Sequence, residues 1–181
     1  MARIFTAAIQ LPDGTSATYE NSVLTVKGKS GEVSRELETS KNAVAVEGST
    51  IKITSLSGNK PAKKQFGSLR AHVHNLVKGA SEGHTFKLKI CSSHFPMNVT
   101  VKGQQLEIKN FFGERASRFV PIDPAVKAKV DGQDLIIESP DIEAAGRFAS
   151  MVEKTTRRTA FDKRIFQDGL HITEKAGKAI Q

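Results

Sequence analysis

The segment Val130–Ser139, VDGQDLIIES, decides the fold because it restates Val46–Ser55, VEGSTIKITS. In each segment an acidic residue and a glycine separate two apolar stretches, a pattern typical of a β-hairpin. The two segments lie 84 positions apart. A hairpin that returns after an interval of this size predicts that the chain contains two copies of one domain.

Further parts of the two copies recur in the same order. Val99–Gly103, VTVKG, nearly repeats Leu24–Gly28, LTVKG, at a separation of 75 positions. Because the hairpins are separated by 84 positions, this second match predicts nine extra residues in the second copy. We place them in the region 110–129, where a loop can absorb an insertion.

Each hairpin is followed by apolar residues at helical intervals, which predicts a helix that covers the strands. Pro61 suits the first turn of the first helix, and Gly79 is predicted to end it. In the second helix Ser139 is the predicted N-cap and Pro140 lies in the first turn. The apolar stripes consist of Phe66, Leu69, Val73 and Leu76 in the first copy and of Ile142, Ala145, Ala149 and Val152 in the second.

The predicted fold class is α+β, with two tandem duplicated domains that are each an antiparallel sheet covered by one helix, plus a basic C-terminal extension. We predict an N-terminal repeat domain at 1–80, a C-terminal repeat domain at 81–156 and the extension at 157–181. The first copy has no equivalent of the extension after Gly79. Truncation after Thr155 is therefore predicted to leave a folded protein that has lost its docking segment.

The charge of the chain favours a polyanionic partner. The formal net charge is +8 and the pI is about 9.7, and residues 154–181 carry +4 of that charge. Such a balance favours nucleic acid first and an anionic membrane second. A single cysteine, Cys91, excludes an intramolecular disulfide, and no signal peptide or membrane-spanning run is recognisable. We expect a cytoplasmic protein.

The segment Glu153–His171, EKTTRRTAFDKRIFQDGLH, carries the strongest functional signal. It interrupts a cluster of cations with Phe161 and Phe166, unlike a featureless basic arm. Cations neutralise phosphates, whereas the aromatic rings can stack on a base or pack against protein. We predict nucleic-acid contact for the cations and favour protein packing for the two rings.

The loop that begins at Asn110 has two open interpretations. Phe111 and Phe112 could tuck under the second sheet, or they could form an RNA-recognition loop in which Arg115 and Arg118 contact phosphate. The near-neutral charge of the surrounding region weakens the second interpretation.

The sequence gives little support to enzymatic activity. It contains no HExxH, CxxC or Gly-x-Ser-x-Gly motif, and the spacing of its histidines does not predict a metal site. The GxxG segment Gly28–Gly31 lies between predicted strands, so we interpret it as a hairpin turn and not as a nucleic-acid clamp. No catalytic residue, cofactor or metal is predicted.

Four stretches, in this order and spacing, are similar to those of one known family: NLVKG at 75–79, HFPMNV at 94–99, KNFFGE at 109–114 and KRIFQDGLH at 163–171. They resemble the universal large-subunit ribosomal protein six family in its archaeal branch, whose eukaryotic counterpart is numbered nine. The resemblance implies a noncatalytic protein that binds large-subunit rRNA at the base of the lateral stalk. Its implied surroundings are neighbouring ribosomal proteins and the sarcin–ricin loop where translation GTPases dock, with no DNA and no membrane.

Together, the charge pattern and the resemblance give a set of expected rRNA contacts. The resemblance implies contacts in the C-terminal segment, and the charge pattern adds Lys154. The expected contacts are Lys154, Arg157, Arg158, Lys163, Arg164, Gly169, Lys175 and Lys178.

Two other functions stay open from the residues alone. One is a non-ribosomal protein-interaction module that binds an acidic partner through the C-terminal segment. The other is a small-molecule enzyme that uses a cleft between the domains.

Overall fold

The computed structural model describes residues 4–37, 39–162 and 164–180. The chain divides into two compact units, unit 1 at residues 1–83 and unit 2 at residues 84–181. Each unit combines one α-helix with two small antiparallel sheets. The predicted α+β class and the duplication are confirmed, but each copy contains two sheets where one was expected.

Unit 1 has two three-stranded sheets, ordered β1-β6-β5 and β2-β3-β4, and helix α1 packs on both. Inward-facing residues alternate along the central strands, so Leu24 and Val26 of β3 meet Ile51 and Ile53 of β6 in one core. The elements are β1 Thr6–Gln10, β2 Ser16–Glu20, β3 Val23–Lys27, β4 Glu32–Glu36, β5 Asn42–Glu47, β6 Thr50–Ser55 and α1 Lys60–Ser81.

Unit 2 has a five-stranded sheet, ordered β11-β12-β7-β13-β14, and a three-stranded sheet, ordered β10-β9-β8. Helix α2 packs its buried alanines and Phe148 onto the larger sheet. The elements are β7 His84–Cys91, β8 Asn98–Lys102, β9 Gln105–Lys109, a 3-10 turn Phe111–Gly113, β10 Arg118–Pro121, β11 Lys127–Asp131, β12 Asp134–Ser139, α2 Ile142–Thr155, β13 Gly169–Lys175 and β14 Lys178–Ala179.

The predicted alignment of LTVKG with VTVKG is wrong by one strand. Leu24 lies in β3, the middle strand of its sheet, whereas Val99 lies in β8, an edge strand. The counterpart of β3 is β9, because both are middle strands reached through a two-residue hairpin turn. Val23 and Gln105, which begin these strands, lie 82 positions apart, close to the 84 of the other hairpins. The nine-residue insertion is therefore not needed.

The GxxG segment forms the turn between β3 and β4, as expected, and Gly28 also meets helix α1. Ser30 N donates to Ala80 O at 2.9 Å. A Cβ on Gly28 would lie 2.4 Å from that same oxygen, so only glycine permits this approach.

Two predicted helix boundaries need correction. Helix α1 continues through the buried Gly79 to Ser81, and Gly83, with φ of +81°, follows its C-cap. Helix α2 has Asp141 as its N-cap, with Oδ1 accepting from Glu143 N at 2.9 Å. Ser139 is instead the last residue of β12, and its Oγ accepts from Asp141 N.

The C-terminal segment is built into unit 2, contrary to the prediction of an extension beyond the domain. Strand β13 pairs antiparallel with β7, from Gly169 opposite Cys91 to Ile172 opposite Leu88. It lies inside the sheet, between β7 and β14, and its Leu170 is fully buried. Between α2 and β13, the described residues 156–162 and 164–168 lie outside regular elements.

Candidate nucleic-acid interface

The connection between α2 and β13 begins at a helix end that carries free positive charge. Lys154 lies in the last turn of α2, and Arg157 N donates to its carbonyl oxygen at 3.1 Å. Both side chains are exposed, and no carboxylate among the described residues pairs with either. The buried Thr156 between them accepts from Leu170 N through Oγ1 at 3.0 Å. This bond fixes the cationic helix end to β13.

Four rings, His94, Phe112, Phe161 and Phe166, form an aromatic cluster that holds the connection against the rest of unit 2. Phe166 stacks on His94 with a centroid distance of 4.7 Å, and Phe161 meets Phe166 edge-on at 5.0 Å. Phe112 lies 5.8 Å from Phe161. These distances fall in the favourable range for aromatic pairs. Phe161 and Phe166 therefore both contact protein, and Phe161 keeps 40% of its surface exposed.

Arg158 covers the aromatic cluster. Its guanidinium lies 4.6 Å from the Phe161 centroid and 4.9 Å from the Phe112 centroid, which is cation–π geometry. Its charge also acts on Glu114, whose pKa is lowered first by a hydrogen bond from Arg118 and further by Arg158, against the opposing effect of burial. Arg158 is thus an exposed cation whose guanidinium is held over two rings.

Asp168 clamps the other end of the connection to the loop after β7. Its Oδ1 accepts from Ser93 N at 2.5 Å and from His94 N at 3.1 Å, and its Oδ2 lies 2.5 Å from His94 Nδ1. Burial alone would raise the pKa of Asp168, but the hydrogen bonds from His94 and Ser93 lower it to about 2.

The Ser93, His94 and Asp168 group is a clamp and does not have the geometry of a nucleophilic triad. Ser93 Oγ and Asp168 Oδ2 both approach the same His94 nitrogen, Nδ1, at 3.2 and 2.5 Å. A triad needs the carboxylate on one ring nitrogen and the nucleophile on the other.

A cavity of about 710 Å³ lies beside Arg158 and Phe161. Sequence reasoning missed it because it forms where α2, β7, the 3-10 turn and the connection to β13 meet. Its lining residues are Cys91, Phe112, Ser150, Glu153, Lys154, Thr156, Arg157, Arg158, Phe161, Phe166, Gln167, Asp168 and His171.

The description "Ribosomal protein L6" belongs to the family model that matches residues 11–83 and again 95–169. The two matches fall one in each unit and cover most of the chain. The chain belongs to the ribosomal protein L6 family. The second match includes the whole α2–β13 connection, so this connection is part of the L6 pattern.

Archaeal relatives agree with this L6 assignment along nearly the whole chain. The chain is 36% identical to a "Large ribosomal subunit protein uL6" of Desulfurococcus amylolyticus, over 99% of this chain and 100% of the relative. It is 35% identical to that of Haloarcula marismortui, over 94% and 96%. It is 37% identical to that of Halobacterium salinarum, over 98% of each chain. The resemblance to the archaeal branch is confirmed.

Within this L6 chain, the expected contact residues divide into two groups. Lys154, Arg157, Arg158 and Arg164 surround the α2–β13 connection, where the exposed Arg164 pairs with Asp162 at 2.8 Å. Lys175 and Lys178 face each other across the β13–β14 hairpin, at the far end of β13. At about 3.3 Å per residue, the seven-residue β13 separates the two groups by about 20 Å. Lys163 lies outside the described residues.

Gly169 has an internal role in the L6 fold. It is buried at the start of β13 with φ of +149°, and a Cβ there would lie 3.4 Å from Thr156 O. A side chain there would be strained by this backbone conformation and would contact the turn that fixes the cationic helix end. We find no surface at Gly169 for a direct contact.

The loop after β9 is mainly structural, which favours the first of its two interpretations. Phe111 is 1% exposed and lies in the core of unit 2, so its ring fits the interpretation in which it tucks under the sheet. Arg118 is also engaged, because its guanidinium lies 4.3 Å from the Phe111 centroid and donates to Glu114 and to Thr155 O. Arg115 is exposed, and Phe112 belongs to the aromatic cluster.

The described part of the chain contains no group of three His, Cys, Asp or Glu side chains placed to hold a metal ion. Among its helices, none is long and apolar enough to cross a membrane.

Replacing Asp168 with Asn is expected to weaken the clamp in a pH-dependent way. A folded-state pKa of about 2, below the ordinary 3.8, stabilises the folded protein above the ordinary pKa, and this stabilisation is lost as pH falls towards 2. The Asp168 side chain is 5% exposed, so the shift corresponds to about 2 kcal/mol of stability near neutral pH. Urea midpoints of both proteins should differ by a constant amount above about pH 5 and converge as pH falls towards 2.

Asp162→Asn is the matched control for this prediction, because Asp162 lies in the same connection and its partner among the described side chains is the exposed Arg164. Its loss of stability should be smaller. Equal losses for both variants at neutral pH would contradict the clamp.

Proposed function

We propose that this L6-family chain is a noncatalytic, structural constituent of the large ribosomal subunit, located in the cytoplasm, that binds the large-subunit (23S-type) rRNA directly. The relatives called large ribosomal subunit protein uL6 support the assignment to this subunit, because they align with nearly the whole chain. Family membership in both units also argues against the open alternative of an unrelated interaction module.

One observation carries the proposed RNA contact: no carboxylate among the described residues pairs with the exposed Lys154 and Arg157, and the helix end that carries them is fixed to the sheet. The Thr156 bond to β13 fixes the backbone that carries Lys154 and Arg157, and the guanidinium of Arg158 is held over the aromatic cluster. A guanidinium that is already positioned, as that of Arg158 is, loses little side-chain freedom on binding a phosphate. We propose that Lys154, Arg157, Arg158 and Arg164 form the main rRNA contact and that Lys175 and Lys178 form a second one.

The proposed location is the base of the lateral stalk, near the sarcin–ricin loop where translation GTPases dock. The resemblance of the KRIFQDGLH stretch at 163–171 to the archaeal family supports this location. Neighbouring ribosomal proteins at the stalk base would then be the protein partners.

Replacing both Lys154 and Arg157 with Ala is expected to reduce the salt dependence of rRNA binding. Each phosphate contact contributes roughly 0.7 to 0.9 to the slope of log K against log salt, so the four cations of the main contact alone predict a slope of about −3 to −4. The double variant should lose about 1.5 from the magnitude of that slope. Binding of a stalk-base rRNA fragment, measured by fluorescence anisotropy over a series of KCl concentrations, checks this.

The control for this experiment is Lys127→Ala with Lys129→Ala, because both lysines are exposed on β11 of the same unit. This variant loses the same charge and should keep the slope. Two results would contradict the proposed contact: an affinity of the unmodified chain that does not change with salt, or equal slopes for the two double variants.

Sedimentation with ribosomal subunits in high salt tests the ribosomal role itself. A ribosomal constituent should stay with the large subunit, because it binds the rRNA through the folded cationic surface at the α2–β13 connection. If the chain instead leaves the subunit and is recovered with an acidic protein, the alternative of an interaction module replaces the proposal.

A further inference from the structure

The cavity of about 710 Å³ beside the α2–β13 connection brings together the three chemistries that recognise a nucleotide. Its lining includes a planar cationic surface at Arg158 and Phe161, free hydrogen-bonding groups at Gln167 and Glu153, and positive charge at Lys154 and Arg157. Cavities of roughly 300 to 1,000 Å³ are typical of small-ligand sites. A cavity that holds one nucleotide falls within that range of volumes.

The planar surface is suited to a base that has left its stack. Arg158 is exposed while its guanidinium lies over Phe161 and Phe112, so it can present its outer side to a partner. Phe161 is 40% exposed, in contrast to the half-buried Phe112 and Phe166. Unstacked RNA bases stack on aromatic rings and on guanidinium planes. We call this surface the Arg158–Phe161 platform.

The polar groups of the cavity retain hydrogen-bonding capacity. Gln167 is exposed, and its amide makes only a long contact, 3.5 Å, with Arg164 O among the described residues. Glu153 uses Oε1 to accept from Ile172 N at 3.3 Å, and its other oxygen has no hydrogen-bond partner in the described part of the chain. An amide offers donors and an acceptor, and a carboxylate accepts, so together they can pair with the edge of a base.

We propose that the cavity binds a single unstacked nucleotide of the rRNA, with its base on the Arg158–Phe161 platform, its edge at Gln167 and Glu153, and its phosphate at Lys154 and Arg157. This inference rests on the proposed rRNA-binding function and adds the kind of RNA feature that is recognised. A paired base inside a duplex cannot enter such a cavity, so the site selects a bulged or looped nucleotide.

Cys91, the only cysteine of the chain, lines the cavity and serves as a reporter in the unmodified protein. Its rate of alkylation by a maleimide is measured with the stalk-base rRNA fragment and, separately, with a fully paired RNA duplex of equal length at equal occupancy. We expect the rRNA fragment to slow the reaction several-fold and the duplex to leave it unchanged.

Arg158→Lys tests the platform without changing the charge. Loss of one stacked base is expected to weaken binding of the rRNA fragment roughly 5- to 150-fold. The salt slope should stay the same, because the number of cations is unchanged. Lys129→Ala, outside the cavity, is the control and should leave Cys91 protection intact. Gln167→Ala tests the edge contact at an exposed position and should weaken binding of the rRNA fragment without changing the salt slope.

The outcomes separate this inference from the function on which it rests. If the rRNA fragment binds with a steep salt slope while Cys91 reacts freely, the nucleotide site is wrong and the rRNA-binding function stands. If the fragment does not bind, both fail. If Cys91 is unreactive in the free protein, cross-linking with 4-thiouridine in the fragment decides: cross-links within 153–171 support the site, and cross-links elsewhere overturn it.

Discussion

Removal of residues 157–181 is expected to unfold unit 2 and to leave unit 1 folded. The deletion removes β13 from the inside of the five-stranded sheet and exposes the edge of β7. It also removes Leu170, which is fully buried in the core.

The expected loss is as large as the stability of a small domain. Burial of Leu170 contributes roughly 1.5–3 kcal/mol, and each backbone hydrogen bond between β7 and β13 contributes about 0.5–1.5 kcal/mol. Several such bonds together with Leu170 approach the 5–15 kcal/mol that stabilises a typical domain. Truncation after Thr155 is therefore expected to unfold unit 2, contrary to the prediction from the sequence. Because the unit unfolds, a loss of binding on truncation would not identify the RNA contacts.

Amide hydrogen exchange measures this effect in both units at once. In the truncated chain, the amides of β7 and β12 should lose protection, while those of α1 should keep it and serve as the internal control. Removal of residues 178–181 alone, which takes away only the short edge strand β14, should leave β7 protected. Full protection of β7 in the long truncation would contradict the role of β13.

Phe111→Ala is expected to destabilise unit 2 by about 3–5 kcal/mol, the usual cost of deleting a buried phenylalanine ring. The ring is buried in the core, meets Phe112 edge-on at 5.0 Å and lies beneath the guanidinium of Arg118 at 4.3 Å. Loss of the ring leaves a cavity in the core and also removes the surface on which the Arg118 guanidinium lies.

Phe119→Ala is the matched control, because Phe119 lies in the neighbouring strand β10 with 56% of its surface exposed. Its effect should stay within roughly 0.5 kcal/mol, as for other surface substitutions. Exchange rates of the slowest amides in unit 2 report both values. A Phe111 variant as stable as the Phe119 variant would revive the recognition-loop interpretation.

Local patterns predicted most elements of the fold, because hairpins and amphipathic helices leave periodic signals in short windows. The match of LTVKG with VTVKG misled the alignment, because alternating residues that end in Lys-Gly are typical of many hairpins. Strand β13 was missed for a different reason. Its partner β7 lies about 80 positions away, and the sequence GLHITEK contains no local pattern that predicts this pairing.

The candidate site was predictable to the same extent. The clustering of positive charge in the sequence selected Lys154, Arg157 and Arg158 as candidate contacts, because a basic segment can be recognised from its composition. It could not separate Arg115 from Arg118, since only the fold brings Glu114, Thr155 and Phe111 around Arg118. No sequence pattern predicted the cavity, because the residues that line it come from four separate parts of unit 2.

The pairing of β7 with β13 has a consequence for the order of events during synthesis. Strand β1 finds its partner β6 within 40 to 48 positions, so unit 1 can close its sheet early as the chain emerges. Strand β7 must wait for Gly169, 78 positions after Cys91, and until then its free edge is exposed. Unit 2 is therefore the slower and more aggregation-prone half of the nascent chain, and its cationic helix end becomes rigid only when the last strands arrive.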